Sequence, residues 1–595
     1  MRTIKSGLLW LMLLVSPGLF LTSCKDDETA EETGRLFKPY DLSISPHENG
    51  FIIRWNLSYG AKAYEVDLSL NGNFDPIAKT VVFPTTGERR YEETVGNLEE
   101  NTKYYVRLRA VIEGEPSLSS RYVYTEGTTG VLPSVFYVPG FEDMTYSEAT
   151  LRWKEDTGAT QLTVTSEGTE SVVRDLTAEE IAAMEATVEN LEEGRTYKAS
   201  FYVEGVLKSS VSFTMPVKPD GAIEITNEND LKAAIEGAAE GAVLLLKGGQ
   251  VYDYSSETIE LTRSITLMAA PGAPKPVVYV KEFAVGGINP ATVVVPELKF
   301  EGIEFSGMVY DGTAEQPMER PGDKLFSFYV TKVKGGDITA GSITLRNCVA
   351  RNYAQAFAGG DYNLADAAAK LRIGDITVDD CILYDFGRYA GDYTLINIQA
   401  GSSRNNSQIT GVVTFRNSTL HHLQTGLLEH RYKDCVTDAV CPAGVVLENC
   451  TIDAIGALYE TEPGSGIYDR WYHTENTKIS QRNFMNFTGY AAAVGKPVPV
   501  TITNCIIGEV LNVPNGEFPG GRGCASYISG SADVALSNQV LYTTTDCAIA
   551  SKVTGSSSAG ADSYAVFPDK KNGNYTISEN AMLPAEVGDP RWRAN

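Results

Sequence analysis

Long apolar runs, basic residues and histidines are all scarce in this chain of 595 residues. Acidic residues outnumber basic ones by 76 to 50, and the formal net charge of −26 excludes general binding to nucleic acid or to an anionic membrane surface. Only residues 7–22 form an apolar run near membrane-spanning length, and they follow Arg2 and Lys5 as in a secretion signal. No transmembrane helix is therefore expected after this segment. The remaining composition, 43% hydrophobic and 21% charged, is typical of a globular protein of several domains.

The apolar run ends in LTSC (21–24), which resembles the lipobox of bacterial lipoproteins. That resemblance implies removal of residues 1–23 and acylation of Cys24, and several acyl chains would anchor the protein durably. The following KDDE (25–28) resembles the export signal of surface lipoproteins in glycan-degrading Gram-negative gut bacteria. The expected location is therefore the outer membrane, lipid-anchored and facing the exterior, with residues 24–35 as a tether. The alternative is an ordinary signal peptide with an incidental cysteine.

Residues 36–217 show short alternating runs separated by turn residues, such as FIIRW (51–55) and YYVRL (104–108), which is β-sandwich patterning. A triplet of Trp55, Leu98 and Tyr104 resembles the core and corner of a fibronectin type III domain. The triplet recurs as Trp153, Leu191 and Tyr197. The resemblance predicts two such domains, at 36–129 and 131–217, acting as a stalk or a protein contact rather than in catalysis.

A third region begins with an amphipathic segment at 229–235, followed by the apolar runs AVLLL (242–246) and LTRSITL (261–267). This order resembles the opening of pectin-lyase-like right-handed β-helices, where a helix caps the open end of the core. The closing VGDPRW (587–592) resembles the end of secreted β-helix proteins from the same bacteria. We therefore expect a β-helix over residues 222–595.

A repeat runs through this region when the chain is aligned with itself. Each unit is a strand that ends in Asn or Asp followed by a small residue, and the pairs are Asn347-Cys348, Asp380-Cys381, Asn417-Ser418, Asn449-Cys450 and Asn504-Cys505. The second members lie 33, 37, 32 and 55 residues apart, so each unit is one coil with loops of different length. The first members predict an amide ladder at a tight turn. The second members predict a buried stack of small side chains, and their wide spacing excludes a zinc site.

The predicted fold class is thus all-β, with two fibronectin type III-like β-sandwiches followed by a right-handed parallel β-helix. Of the remaining cysteines, Cys435 with Cys441 and Cys524 with Cys547 are candidate disulfide pairs outside the cell, although sequence does not establish either pairing. The fold does not identify a reaction, because β-helices include lyases, hydrolases, esterases and binding proteins.

In pectin-lyase-like proteins the substrate groove follows the outer face of one parallel sheet. The spacing predicts groove strands at 325–330, 395–399, 427–431 and 467–471. Alternation along a strand places one set of side chains outside, namely Ser327, Tyr329, Asn397, Gln399, Glu429 and Arg431. His430 falls on the inward side unless its strand ends before it.

Basic residues concentrate at 388–433, and four of the five histidines lie within 421–473. A polysaccharide lyase needs a group that neutralises the uronic carboxylate, a base and an acid. The candidates for these roles are His430, Arg431, Arg388 and Tyr389. The candidates for substrate binding are Tyr329, Tyr393, Asn397, Gln399, Glu429, Lys433, Arg470, Trp471 and His473.

Two other groups of residues are missing from the expected pattern. The calcium-binding Asp cluster of pectate lyases has no clear counterpart, so Ca²⁺ is an option that the residues do not support, and no other metal or cofactor is predicted. Paired carboxylates at hydrolase spacing are also lacking, which favours elimination over hydrolysis.

The first hypothesis is therefore β-elimination on an acidic polysaccharide such as a glycosaminoglycan or pectin. The alternative is a non-catalytic surface glycan-binding protein that delivers chains to an outer-membrane glycan importer. A third hypothesis takes the same face as a protein-contact surface of an adhesin or scaffold.

Overall fold

The computed structural model describes residues 34–112, 114–168, 170–289, 291–316, 321–329, 336–360, 370–387, 393–398, 406–430, 443–456, 482–489, 494–510, 524–529, 534–537 and 540–593. The chain forms two compact units. The first comprises residues up to 137 with 153–184 and 198–212, and the second comprises 138–152, 185–197 and the chain from 213 onward. No helix in the described part of the chain is long and apolar enough to cross a membrane.

The first unit contains an antiparallel sandwich. One sheet is formed by the strands Tyr40–His47, Gly50–Asn56 and Arg90–Val95, and the other by Ala63–Ser69, Lys79–Pro84, Lys103–Val111 and Val123–Thr128. Its core is built around Trp55, which stacks on Tyr91 at 5.2 Å between ring centroids. Leu98 is buried, and the Tyr104 hydroxyl accepts a hydrogen bond from the Glu99 N–H at 3.2 Å. The predicted corner is therefore confirmed.

The second antiparallel module repeats these features. Its strands are Ala149–Arg152, Gln161–Thr165, Val172–Asp175, Glu185–Val188, Thr196–Val203 and Val206–Thr214, with a helix at Ala178–Ala183. Trp153 is buried and packs edge-on against Phe201 at 5.1 Å. The Tyr197 hydroxyl accepts from the Glu192 N–H at 2.9 Å.

The described residues between 222 and 593 form a parallel β-helix with three strand ladders. Sheet A consists of Ile223–Ile225, Ala242–Leu246, Ile265–Ala269, Val293–Glu301, Ile338–Arg346, Lys370–Asp379, Asn406–Ile409, Val412–Arg416, Gly444–Glu448, Val498–Thr503 and Val534–Ser537. Sheet B consists of Glu304–Ser306, Val349–Tyr353, Ile382–Phe386, Thr419–Leu423, Thr451–Asp453, Cys505–Ile507, Leu541–Thr543 and Ser557–Ser558. Sheet C consists of Lys324–Phe328, Ala356–Gly360, Ile396–Asn397, Leu428–Glu429, Arg482–Asn486 and Cys524–Ser529. The strands Val251–Leu261 and Val277–Val285 run through both B and C.

The predicted turn between sheets A and B is confirmed in the five coils that carry the Asn/Asp column. All five residues of the Asn/Asp column are left-handed, with φ between 48° and 55°. The Asn504 amide donates to Asn449 Oδ1 at 3.3 Å, and the Asn449 amide donates to Asn417 Oδ1 at 3.0 Å. These bonds satisfy side-chain groups that the tight turn brings one above another.

The small-residue column lies inside the helix, as predicted. Cys348, Cys381, Ser418, Cys450 and Cys505 are buried, and the four cysteines are free thiols. The Cys348 N–H donates to Cys381 Sγ at 3.3 Å, and the Cys381 N–H donates to Ser418 Oγ at 3.0 Å. Cys547 is also a buried free cysteine, so it forms no disulfide with Cys524 in this structure. Cys435 and Cys441 lie outside the described residues.

The open end of the core is capped by the helix Leu231–Glu236, as the amphipathic segment predicted. Asp230 caps this helix by accepting from the Ala233 N–H at 3.0 Å, while Leu231 and Ile235 are buried in the core. The helix Ser563–Val566 belongs to a C-terminal segment, residues 557–593, whose buried side chains Val566, Phe567 and Tyr575 cluster with Ile506 of sheet B. All-β architecture, with antiparallel sandwiches before a parallel β-helix, is therefore confirmed.

Candidate functional site

A column of polar residues crosses sheet C on its outer face. Ser327, Gly359, Asn397, Glu429 and Asn486 occupy one register position on five successive strands. Adjacent strands lie about 4.8 Å apart, so these residues form a continuous line. The residue before each of them belongs to the hydrophobic core, and these residues are Phe326, Ala358, Ile396, Leu428 and Met485. Because side chains alternate along a strand, the sheet C column points away from that core.

The centre of the column is a carboxylate between two amides. Glu429 is 0% exposed, and Asn397 and Asn486 are also buried. The Asn486 amide donates to Glu429 Oε2 at 3.1 Å. Each amide carries both a donor and an acceptor, and the carboxylate supplies acceptors, so the set is chemically suited to hydroxyl groups.

A second carboxylate lies at the start of the same face. Glu282 accepts three hydroxyl hydrogen bonds, from Thr258 at 2.8 Å, from Ser327 at 2.6 Å and from the Tyr329 phenol. The three hydroxyl donors fix the position of this carboxylate. Tyr329 is thereby fixed at the edge of the sheet C column.

A lysine lies across the column at its only glycine position. A Cβ atom on Gly359 would come within 2.8 Å of the Lys324 Cδ, so a larger residue would displace the lysine stem. The Lys324 Nζ lies 6.0 Å from the centroid of the Tyr393 ring. Lys324 therefore places a positive charge, with the Tyr393 ring beside it, next to the carboxylates and amides of the sheet C column.

Four residues predicted for substrate binding therefore belong to one surface. Asn397 and Glu429 are members of the sheet C column, while Tyr329 and Tyr393 flank it through Glu282 and Lys324. The other predicted residues lie outside the described part of the chain, and they are Arg388, Tyr389, Gln399, Arg431, Lys433, Arg470, Trp471, His473 and the lipidation residue Cys24.

His430 lies in the core, on the inward side that the alternation predicted. It is 0% exposed, its Nε2 accepts from the Ile409 N–H at 3.3 Å, and its Nδ1 lies 3.0 Å from the Ile398 carbonyl. Nδ1 therefore carries the proton and donates it to that carbonyl. Burial lowers the pKa of His430 to about 4 despite these backbone bonds. His430 therefore packs in the core with both ring nitrogens bonded to the backbone, and its catalytic role stays a prediction.

Sequence reasoning missed two of the five strands of the sheet C column and three polar residues of the face. The strand Ala356–Gly360 consists of Phe357 and four small residues without a polar alternation, yet Gly359 lies eleven residues after Cys348, as Glu429 does after Ser418. This shared spacing of eleven residues could have indicated that Gly359 and Glu429 occupy equivalent positions on sheet C. Arg482–Asn486 occupies the position after Leu428–Glu429, whereas the predicted strand 467–471 lies outside the described residues. Glu282, Lys324 and Asn486 were therefore missed.

Sheet B carries another outward column, which sequence reasoning also missed. Its members are in register, and each lies three residues after a member of the small-residue column. They are Arg351, Tyr384, His421 and Asp453. Arg351 is paired with Glu304 at 2.7 Å and Glu315 at 2.6 Å.

The remaining members of the sheet B column are enclosed by one another and by the C-terminal segment. The rings of Tyr384 and His421 stack at 4.8 Å. Burial, followed by the charge of Lys570, lowers the pKa of His421 to about 3, and burial raises the pKa of Tyr384 to about 12. At neutral pH both rings are uncharged, which fits a packed structural row rather than an acid–base pair.

Neither column forms a metal centre. Within the ranges that the structure describes, no group of three or more His, Cys, Asp or Glu side chains is arranged to hold an ion. The described part of the site therefore offers hydrogen-bonding chemistry from carboxylates, amides and hydroxyls.

Comparison with solved structures finds similarity to fibronectin type III domains. The chicken CNTN1 FN1–FN3 domains share 15% identity, covering 31% of this chain and 68% of that one, with a TM-score of 0.14. A two-domain fibronectin type III segment of chicken tenascin shares 15% identity, covering 30% of this chain and 99% of that one, with a TM-score of 0.15. The fold described above rests on strand pairing and not on these values. No protein-family model matches the chain, and no curated protein matches it.

Proposed function

We propose that the β-helix binds a polysaccharide along the sheet C column. The observation that supports this is the alignment of Asn397, Glu429 and Asn486 on three successive coils. A strand spacing of about 4.8 Å is close to the length of one sugar unit, so the column repeats at the spacing of a sugar chain. Asn397, Glu429 and Asn486 are buried, so a sugar chain would reach them only after the groups that cover them are displaced. Lys324 would add one cation for a substrate that carries carboxylates.

Cleavage of an acidic polysaccharide by β-elimination is the second candidate function. The concentration of basic residues at 388–433 favours it, together with the resemblance to pectin-lyase-like β-helices. The inward position of His430, with both ring nitrogens bonded to the backbone, counts against this residue as the base, so the base would have to be another group, such as Tyr389 or Arg431.

We further propose a lipid-anchored protein on the outer membrane that faces the exterior and works beside a glycan importer. LTSC (21–24) and KDDE (25–28) support this placement. Metabolic labelling with a fatty acid tests it, because a Cys24→Ala variant should lose the label, and equal labelling of both proteins would contradict the anchor.

One experiment separates binding from cleavage. The purified chain is incubated with glycosaminoglycans, pectins and neutral polysaccharides while affinity and ultraviolet absorbance are followed. Binding without new absorbance supports the first function, and absorbance from unsaturated uronic ends establishes the second. The absence of both across the panel would contradict the polysaccharide proposal.

A further inference from the structure

The first sandwich has an outer sheet face whose polar and aromatic side chains are arranged in rows. We call the sandwich face the outward side of the strands Ala63–Ser69, Lys79–Pro84, Lys103–Val111 and Val123–Thr128, together with Tyr122. Strand pairing aligns one row of Thr80, Asp67, Arg107 and Tyr124, and a second row of Val82, Glu65 and Arg109. The residues between them, including Val66 and Leu108, are buried in the sandwich core.

The charges of the sandwich face cancel in pairs. Three ion pairs account for its outward charged residues, namely Lys103 with Glu126 at 2.8 Å, Arg107 with Asp67 at 2.9 Å and Arg109 with Glu65 at 2.7 Å. The face is therefore neutral in a chain whose net charge is −26. Neither a polyanion nor a polycation gains long-range attraction from such a surface.

An immobilised aromatic ring adjoins an exposed one on this face. The guanidinium carbons of Arg107 and Arg109 lie 4.2 and 4.8 Å from the centroid of the Tyr122 ring. The Tyr122 hydroxyl donates to Glu65 at 2.9 Å, and burial together with that bond raises its pKa, so it remains protonated. Tyr124 lies next to this ring, at 6.3 Å between centroids, and is 64% exposed.

We propose that the sandwich face binds a neutral carbohydrate. A sugar ring would stack its apolar side on Tyr124, and its hydroxyl groups would bond to the paired groups of Arg109 and Glu65, whose side chains are 28% and 22% exposed. The ion pairs already hold these side chains in position, so binding costs little side-chain entropy. The exposed Val82, at 55%, extends the apolar part of the surface for a neighbouring sugar. This site is separate from the sheet C column and gives the predicted stalk a recognition role.

Native affinity electrophoresis of the whole purified chain tests the proposal. The probes are a mixed-linkage glucan, an arabinoxylan and a galactomannan, with pectin and a glycosaminoglycan as acidic comparisons. Tyr124→Ala should lose about tenfold in affinity for a neutral polysaccharide, equivalent to about 1.4 kcal/mol. Tyr59→Ala is the matched control, since Tyr59 is 86% exposed in the same sandwich but lies off this face, and it should bind as the parent protein does.

Three results would overturn the proposal. They are the absence of retardation by every neutral polysaccharide, equal affinities of Tyr124→Ala and Tyr59→Ala, and binding to acidic polysaccharides alone that disappears in high salt. Asn397→Ala distinguishes the two sites. If it abolishes neutral-glycan binding while Tyr124→Ala does not, the sandwich site fails and the sheet C column remains.

Discussion

Burial determines what the histidines of the β-helix can do. His430 and His421 are both buried. Burial lowers the pKa of His430 to about 4 and that of His421 to about 3, well below the pKa of a free imidazole. Each is neutral in the folded protein at physiological pH. In the unfolded chain each would take up a proton below about pH 6.5. Acid therefore destabilises the folded protein through these side chains.

The first prediction follows from that difference in proton binding. Between about pH 4 and 6.5 the unfolded chain binds more protons at residue 430 than the folded chain, so stability is complete above this window and falls as the pH decreases through it. A His430→Gln variant should show a smaller loss of thermal stability across the window than the parent protein does. His47→Gln, at an exposed position of the first sandwich, is the control. An unchanged pH dependence in His430→Gln would contradict the assignment.

The second prediction concerns the amide ladder. Asn449 has φ = 51° and makes two side-chain bonds along the ladder, so Asn449→Ala should lose about 2 kcal/mol from those bonds and more from backbone strain. Asn449→Gly loses the same bonds without the strain, and it should be about 1 kcal/mol more stable than the alanine variant. Chemical denaturation measures both. Equal stabilities would show that the left-handed turn imposes no cost here.

At the scale of elements, the C-terminal segment is held to sheet B by a buried ion cluster. Lys570 is 4% exposed and lies 3.0 Å from both Asp453 and Glu509. Burial lowers the pKa of Lys570, but the two carboxylates outweigh that effect and raise it, so the ammonium stays charged. Further along the segment, Arg591 pairs with Asp380, and the Trp592 indole N–H donates to Thr419 at 2.7 Å. The buried ion pairs are specific, because removal of either partner would leave the other charge buried and unpaired.

The third prediction tests that cluster. Lys570→Met should destabilise the β-helix by about 3–5 kcal/mol because it leaves a buried carboxylate without its cation. The double variant Lys570→Met with Asp453→Asn should recover a large part of this loss, and the exposed neighbour Lys571→Met should lose little. Thermal unfolding and limited proteolysis of residues 557–593 measure the effect. If Lys570→Met behaves as Lys571→Met does, the cluster does not hold the segment.

Much of this arrangement was predictable because a solenoid stacks equivalent positions. Asn347 to Asn504 and Cys348 to Cys505 repeat visibly, and simple alternation placed Asn397 and Glu429 outside and His430 inside. Contacts between distant positions left no such pattern. Lys570 meets Asp453 across 117 residues, and Arg351 meets Glu304 across 47. Asn486 was missed because its coil is 55 residues long, so the repeat did not indicate which residues form the strand.

At the scale of the whole molecule, two recognition surfaces that each carry charges of both signs are proposed in an acidic chain. The sheet C column has carboxylates at Glu282 and Glu429 with a cation at Lys324, and the sandwich face pairs each of its charges. Hydrogen bonding and aromatic contact, rather than net charge, would then select the ligand. Salt should consequently have little effect on binding at the sandwich face.

The affinity of column variants for a polysaccharide tests the central claim most directly. Asn397→Ala and Lys324→Ala should each weaken binding by about tenfold, which is about 1.4 kcal/mol of lost contact. Lys299→Ala is the matched control, since Lys299 is an exposed lysine on sheet A that pairs with Glu297. Isothermal titration with the polysaccharide selected by the panel gives all four affinities. A loss confined to the two column variants is the predicted result, and equal affinities of Asn397→Ala, Lys324→Ala and Lys299→Ala would contradict the account.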